Sequence, residues 1–200
     1  MFAALTLTEL KEIATNYGLR LEPPILSQLQ WESHLQSPQD AYHATAGKVL
    51  RFLKMTINAF SPEGKSAFIT TWKAFEYPKT WHKLPNPISH IDSFMMSDCL
   101  QLAMVFPFVL NRFLNHQHFK RSEINKFRER TGVSRSDLII NHWVKCWTLV
   151  AKTTAMTFRR SFSEQDYIEL GECLDNERKC LSQVSMYNHV IYILFINIYY

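Results

Sequence analysis

Apolar residues in this chain recur three or four positions apart, and no stretch alternates with the period of two that a half-buried strand needs. Tyr42, Ala46, Val49, Leu50, Leu53, Ile57 and Phe60 make one helical stripe. Phe68, Trp72 and Phe75 mark a second, and Leu138, Trp143, Trp147, Val150 and Phe158 a third. Start signals precede these stripes. Thr6 and Glu9 form a capping box for a helix from about Leu7 to Tyr17, which Gly18 ends. Pro23 and Pro24 break the chain, and a short helix through Leu26, Leu29 and Trp31 follows. Ser37-Pro38-Gln39-Asp40 and Ser61-Pro62-Glu63-Gly64 each place a cap before a proline at the first helical position. Ser122 caps a short polar helix ending near Gly132. Ser134 to Asp137 and Ser163 to Asp166 are further capping boxes, the latter with Phe162 and Tyr167 placed as a hydrophobic staple. At least six helices follow one another, so the fold class is all-α: an irregular multi-helix domain around a buried central apolar helix.

That central helix is Phe94 to Leu114, the most apolar long stretch. About 20 apolar residues suffice to span a bilayer. Asp98, Gln101, Asn111 and Arg112 oppose a span, since one central charge costs about 3 kcal/mol on insertion scales. The stretch therefore reads as a core helix, kinked at Pro107, with no membrane role. From Tyr77 to His90 the helical pattern dissolves, and Leu84-Pro85-Asn86-Pro87 becomes a stiff extended connector. Trp81 and Leu84 give this connector an apolar character unlike a solvated linker. The domain reading is one helical domain over 1–183 with the connector at 77–90 inside it. Residues 184–200 are an uncharged apolar tail with AT-rich codons, read as disordered or mis-spliced sequence that contributes nothing to the fold.

Composition narrows the function classes. Hydrophobic residues are 46% and charged residues 20%, which is ordinary for a globular chain. Only 5 glycines argue against phosphate-cradling loops, while 14 phenylalanines and 5 tryptophans call for an aromatic core or a sticky surface. The net charge is +4. Cys99, Cys146, Cys173 and Cys180 show no zinc-knuckle or redox-pair spacing, and the start lacks a secretory leader. The expectation is reduced, mostly buried thiols in an intracellular protein, nuclear or cytoplasmic and not secreted.

Little of the polar pattern carries chemistry. Gly47-Lys48 superficially resembles the end of a phosphate loop, but Tyr42 stands at the first glycine position and Val49 at the hydroxyl position. Lys48 is therefore expected on a solvated helix face. His116 and His118 lack convergent partners and read as exposed loop histidines. His34, His43, His82, His90 and His142 are scattered, and no metal site or cofactor is expected. A basic cluster remains: Lys120, Arg121, Lys126, Arg128, Arg130 and Arg135, interrupted by Glu123 and Glu129. Part of its charge is spent on local pairing, and the rest offers a phosphate-contacting face without sequence preference. Trp143, Trp147 and Phe158 have spacings that suit core packing better than base stacking.

With these motifs in view, Asp40-Ala41-Tyr42-His43 followed by Gly47-Lys48-Val49 resembles the Asp-x-x-His stretch and trailing helix of fungal Plavaka-type and CACTA-type transposases. Leu84-Pro85-Asn86-Pro87-Ile88-Ser89-His90-Ile91-Asp92, Ser97-Asp98 and Phe106-Pro107-Phe108-Val109-Leu110 look like the helical segment beyond that motif. The stretch from about Ile13 to Lys179 is also similar to uncharacterised fungal proteins expanded with mobile elements. Such transposases hold two divalent metals with three carboxylates. Only Asp40 corresponds to one of them, because 39 residues leave no room for the upstream strand. The resemblance thus implies a catalytically inactive, transposase-derived helical fragment with weak nucleic-acid or protein contacts and no small-molecule substrate. The alternative is a helical protein–protein interaction module that uses exposed apolar faces for a partner or for self-association.

Overall fold

The computed structural model describes residues 6–17 and 40–184. Seven α-helices run through them: α1 Leu7–Tyr17, α2 Ala41–Ala59, α3 Pro62–Ala74, α4 Met96–Phe113, α5 Arg121–Thr131, α6 Ser136–Thr157 and α7 Glu164–Val184. Short 3-10 turns occupy Ile91–Ser93 and His116–His118. No strand occurs among the described residues, and a lone antiparallel bridge joins Phe60 to Phe119. The all-α expectation holds. The chain divides into two compact units, Met1–Gln39 with Asn197–Tyr200, and Asp40–Ile196. In the first, α1 carries the expected capping box, with the Thr6 amide donating to Glu9 at 2.7 Å and the Glu9 amide to the Thr6 hydroxyl at 3.3 Å. The helix expected through Leu26 to Trp31 lies outside the described residues.

Caps explain most helix boundaries in the second unit. Asp40, rather than Ser37, is the N-cap of α2, its carboxylate accepting from the His43 amide at 2.9 Å. Ser61 caps α3 as expected, accepting from the Gly64 amide at 3.1 Å with Pro62 at the first helical position. Gly132 ends α5 with φ 69°, the left-handed conformation that a glycine adopts at no steric cost. Lys120, not Ser122, precedes α5, and no side chain caps it. The box expected at Ser134 does not form either. Arg135 holds the Asp137 carboxylate through both Nε and a terminal nitrogen, at 3.2 and 2.6 Å, and α6 starts at Ser136. Ser163 and Asp166 do form the reciprocal box of α7, and the Phe162 and Tyr167 rings stack at 5.0 Å as the expected staple.

Helix α4 is the central apolar helix, packed against α2, α3 and α6. Leu102, Ala103, Phe106, Val109 and Leu110 are fully enclosed. The helix is continuous through Pro107, which removes only one backbone donor. No helix among the described residues is long and apolar enough to cross a membrane. The core is aromatic. Phe52 stacks on Trp143 and Trp147 at 5.8 and 4.4 Å, and Phe106 meets Trp147 at 4.3 Å. Phe60 touches Phe68, Phe113 and Phe119 within 6 Å. Each such pair adds about 0.5–1.5 kcal/mol beyond its area burial. The Trp147 indole spends its N–H on Thr56 at 3.0 Å, so this buried polar group is satisfied.

The 77–90 connector is part of this core and not a linker. Leu84 is 2% exposed, and Tyr77 and Trp81 pack against the aromatic cluster. Asn86 closes a turn by accepting from the Ile88 amide, and His82 reaches the buried Asp98 at 2.9 Å. Val184, assigned to the tail by its sequence, is the last residue of α7 and is buried against the core. Residues 185–200 lie outside the described part.

Candidate functional site

Asp40, the carboxylate that the resemblance singles out, and the buried Asp98 and Glu177 each hold local structure. Asp40 caps α2 and also engages the His43 ring, and the His43 amide holds its carboxyl below the ordinary range. Asp98 is buried at the start of α4, where it accepts from the Met95 amide and from His82. Glu177 is fully buried on α7, with Lys48 2.7 Å from one oxygen and the Thr153 hydroxyl donating to the other. Lys48 therefore does not lie on a solvated face. Its side chain is 12% exposed, and its ammonium reaches Glu177 on α7. Gly47, its neighbour, is exposed with open space where a Cβ would stand.

The basic cluster is only partly brought together as a surface. Lys126 pairs with Glu123 at 2.8 Å, Arg135 with Asp137, and Arg128 donates to Ser136 at 2.9 Å. Arg130 donates to the Lys126 carbonyl at 3.0 Å, and partial burial lowers its basicity. Lys120, Arg121, Arg130 and Arg135 are exposed. Trp143 and Trp147 are buried, whereas Phe158 caps α6 and is 41% exposed, edge-on to Tyr42. His118 is not a free loop histidine: it stacks on Phe113, and its carbonyl accepts from the Ser61 amide.

One constellation was not expected. His142 and Cys146 stand one turn apart on α6, and Cys180 approaches from α7. Cys146 and Cys180 are joined as a disulfide, with Cα atoms 5.6 Å apart, which corrects the expectation of four reduced thiols. The correction is one of proximity: both cysteines sit on the buried seam between α6 and α7. Cys99 and Cys173 are free and buried, and burial beside Asp98 pushes the Cys99 thiol up to about 11. His142 Nε2 lies 3.4 Å from the Cys180 sulfur and 3.2 Å from the Cys180 carbonyl. Burial pushes the His142 ring below its usual range. A cavity of about 360 Å³ is lined by His142 and Cys180 of the cluster, together with Lys145, Asn176 and Lys179. The His-x-x-x-Cys spacing on α6 was the available sequence signal, but only the register of α7 against α6 supplies the third residue.

Fold and site together define an all-α multi-helix domain with a histidine–dicysteine cluster on the seam of its last two helices. Comparison with protein-family models, with curated proteins and with solved structures finds no match to this chain.

Proposed function

We propose that this chain is a non-catalytic, transposase-derived helical domain of the nucleus or cytoplasm that makes weak, salt-dependent contacts with nucleic acid around α5. The observation that carries the reading is where the charge sits. Lys120, Arg121, Lys126, Arg128, Arg130 and Arg135 against Glu123 and Glu129 give residues 120–135 the same net charge, +4, as the whole chain. The remainder sums to zero, with +3 spread over residues 40–119 against −2 over 1–39 and −1 over 136–184, so positive charge is densest in this segment and a polyanion is drawn to it above others. Support for the non-catalytic part comes from Asp40, Asp98 and Glu177, which serve a cap, a helix start and a buried ion pair in three separate places.

Binding of a labelled DNA duplex, followed by fluorescence anisotropy between 50 and 200 mM salt (about the range over which phosphate contacts are lost), tests the proposal. With Lys120, Arg121 and Arg130 as the contacting side chains, log Kd against log salt should have a slope of magnitude about 3, and Arg121→Ala should reduce it by about 1. Magnesium should produce no strand cleavage, in the wild type or in Asp40→Ala. Absence of binding at the low-salt end would reject the nucleic-acid role. Stable self-association indifferent to DNA would move the assignment to the protein-interaction alternative.

A further inference from the structure

We infer that, with the disulfide reduced, His142, Cys146 and Cys180 form a three-ligand site for a zinc-like divalent cation whose fourth coordination position opens into the adjoining cavity. The donor set is two thiolates and one imidazole, the combination that favours tetrahedral zinc over hard cations. The geometry is already close. The three donor atoms lie within 4.8 Å of one another. A tetrahedral ion at about 2.3 Å from sulfur and about 2.0 Å from nitrogen needs its ligand atoms somewhat over 3 Å apart. The His142 Nε2 to Cys180 sulfur distance is 3.4 Å. Residues 142 and 146 share a face of α6 because they are four apart, so the pair is set by the helix and not by a mobile loop.

The histidine decides between a cation site and a plain staple. A disulfide linking α6 to α7 requires no third side chain. Here the His142 ring is held between the Phe127 ring, 5.1 Å away, and the Cys180 sulfur. Both sulfurs are buried, with Cys146 0% and Cys180 6% exposed, while His142 lines the cavity. Three protein ligands and an open position are the arrangement of a zinc that takes a further, non-protein ligand, as opposed to a closed structural site. Lys145 and Lys179 at the cavity wall favour an anion in the fourth position over water.

The chemistry balances without an unnamed partner. A phosphine reductant gives two electrons to the disulfide and leaves as the phosphine oxide, its oxygen and the two thiol protons coming from water. The cation then replaces those two protons, which pass to solvent, and takes the Nε2 lone pair. In the disulfide form Nε2–H donates to the Cys180 carbonyl, so binding requires the tautomer protonated on Nδ1.

The test uses the full chain reduced with a phosphine under argon, titrated with Co2+ and then back-titrated with Zn2+. One equivalent of Co2+ should give thiolate-to-metal charge transfer and the visible bands of a tetrahedral ion, both erased by one equivalent of Zn2+. His142→Ala should weaken Zn2+ by about 10-fold or more, since even outer-shell partners of zinc are worth that much. Cys173→Ser should change nothing. The oxidised chain should bind no cation. Failure of the reduced wild type to take up Co2+ stoichiometrically, or equal uptake by His142→Ala, would leave only a disulfide and overturn the proposal. Because the decisive spectra come from the wild type, a cysteine variant that fails to fold does not affect the outcome.

Discussion

Lys48 shows how far a single contact can move a residue from its apparent role. By sequence it is a polar position on an amphipathic helix, and the fold turns it into the counter-charge of the buried Glu177. A buried pair gives little net stability relative to an apolar pair, but removing one partner strands the other charge. Lys48→Met should therefore cost about 3 kcal/mol in urea unfolding, and Glu177→Gln on that background should recover part of it. Equal stability of Lys48→Met and wild type would show the pair to be solvated. The partner was not legible in the sequence because Glu177 sits on α7, among charged residues that look like an exposed face. The same holds for the histidine–dicysteine cluster: the spacing of His142 and Cys146 was visible, and the position of Cys180 opposite them was not.

The capping carboxylate of α7 belongs to this scale too. Hydrogen bonds from the Ser163 hydroxyl and amide hold the Asp166 carboxyl below its ordinary range. A depressed folded pKa means the contribution is present above the unfolded value and lost as pH falls through the folded one. Thermal stability of the wild type should thus decline below about pH 4, and Ser163→Ala should flatten that decline. An unchanged acid profile in the variant would remove the cap from the account.

At the level of elements, existence was more legible than ends. The stripe of α2 and the apolar run of α4 come directly from side-chain period, and Ser61, Gly132 and Ser163 mark boundaries because their caps are local. Starts shifted where a tertiary or rival local contact competed, as when Arg135 took the Asp137 carboxylate intended for a capping box. The start of α3 also depends on a distant element. A Cβ at Gly64 would stand 2.0 Å from the His118 carbonyl oxygen, while the Ser61 hydroxyl donates to Gln117 at 3.1 Å. Gly64→Ala should destabilise by about 1–3 kcal/mol through overpacking of backbone against backbone. By contrast, Gly47→Ala, in open space within α2, should stabilise by about 0.5–1 kcal/mol, and chemical denaturation of the two variants separates the effects. A neutral Gly64→Ala would mean that the 116–118 turn yields readily.

For the whole molecule, the aromatic interior is the common support. The sequence announced it through composition and periodicity, but the pairing of Phe52 with two tryptophans, and of Phe60 with three other phenylalanines, follows only from how α2, α3, α4 and α6 pack. Phe106→Asp places an unpaired charge where Phe68 and Trp147 now meet, and should cost about 4 kcal/mol or more. Near-UV circular dichroism should lose its tryptophan signal along with a cooperative melt. A sharp transition in that variant would mean the α4 face is not core.

The central claim, a helical body whose densest positive charge lies over residues 120–135, is tested most directly by amide hydrogen exchange with and without a DNA duplex at low salt. The account predicts added protection over Lys120 to Arg135 alone, disappearing as salt is raised. Protection centred on any other helix, or none despite measured binding, would contradict it.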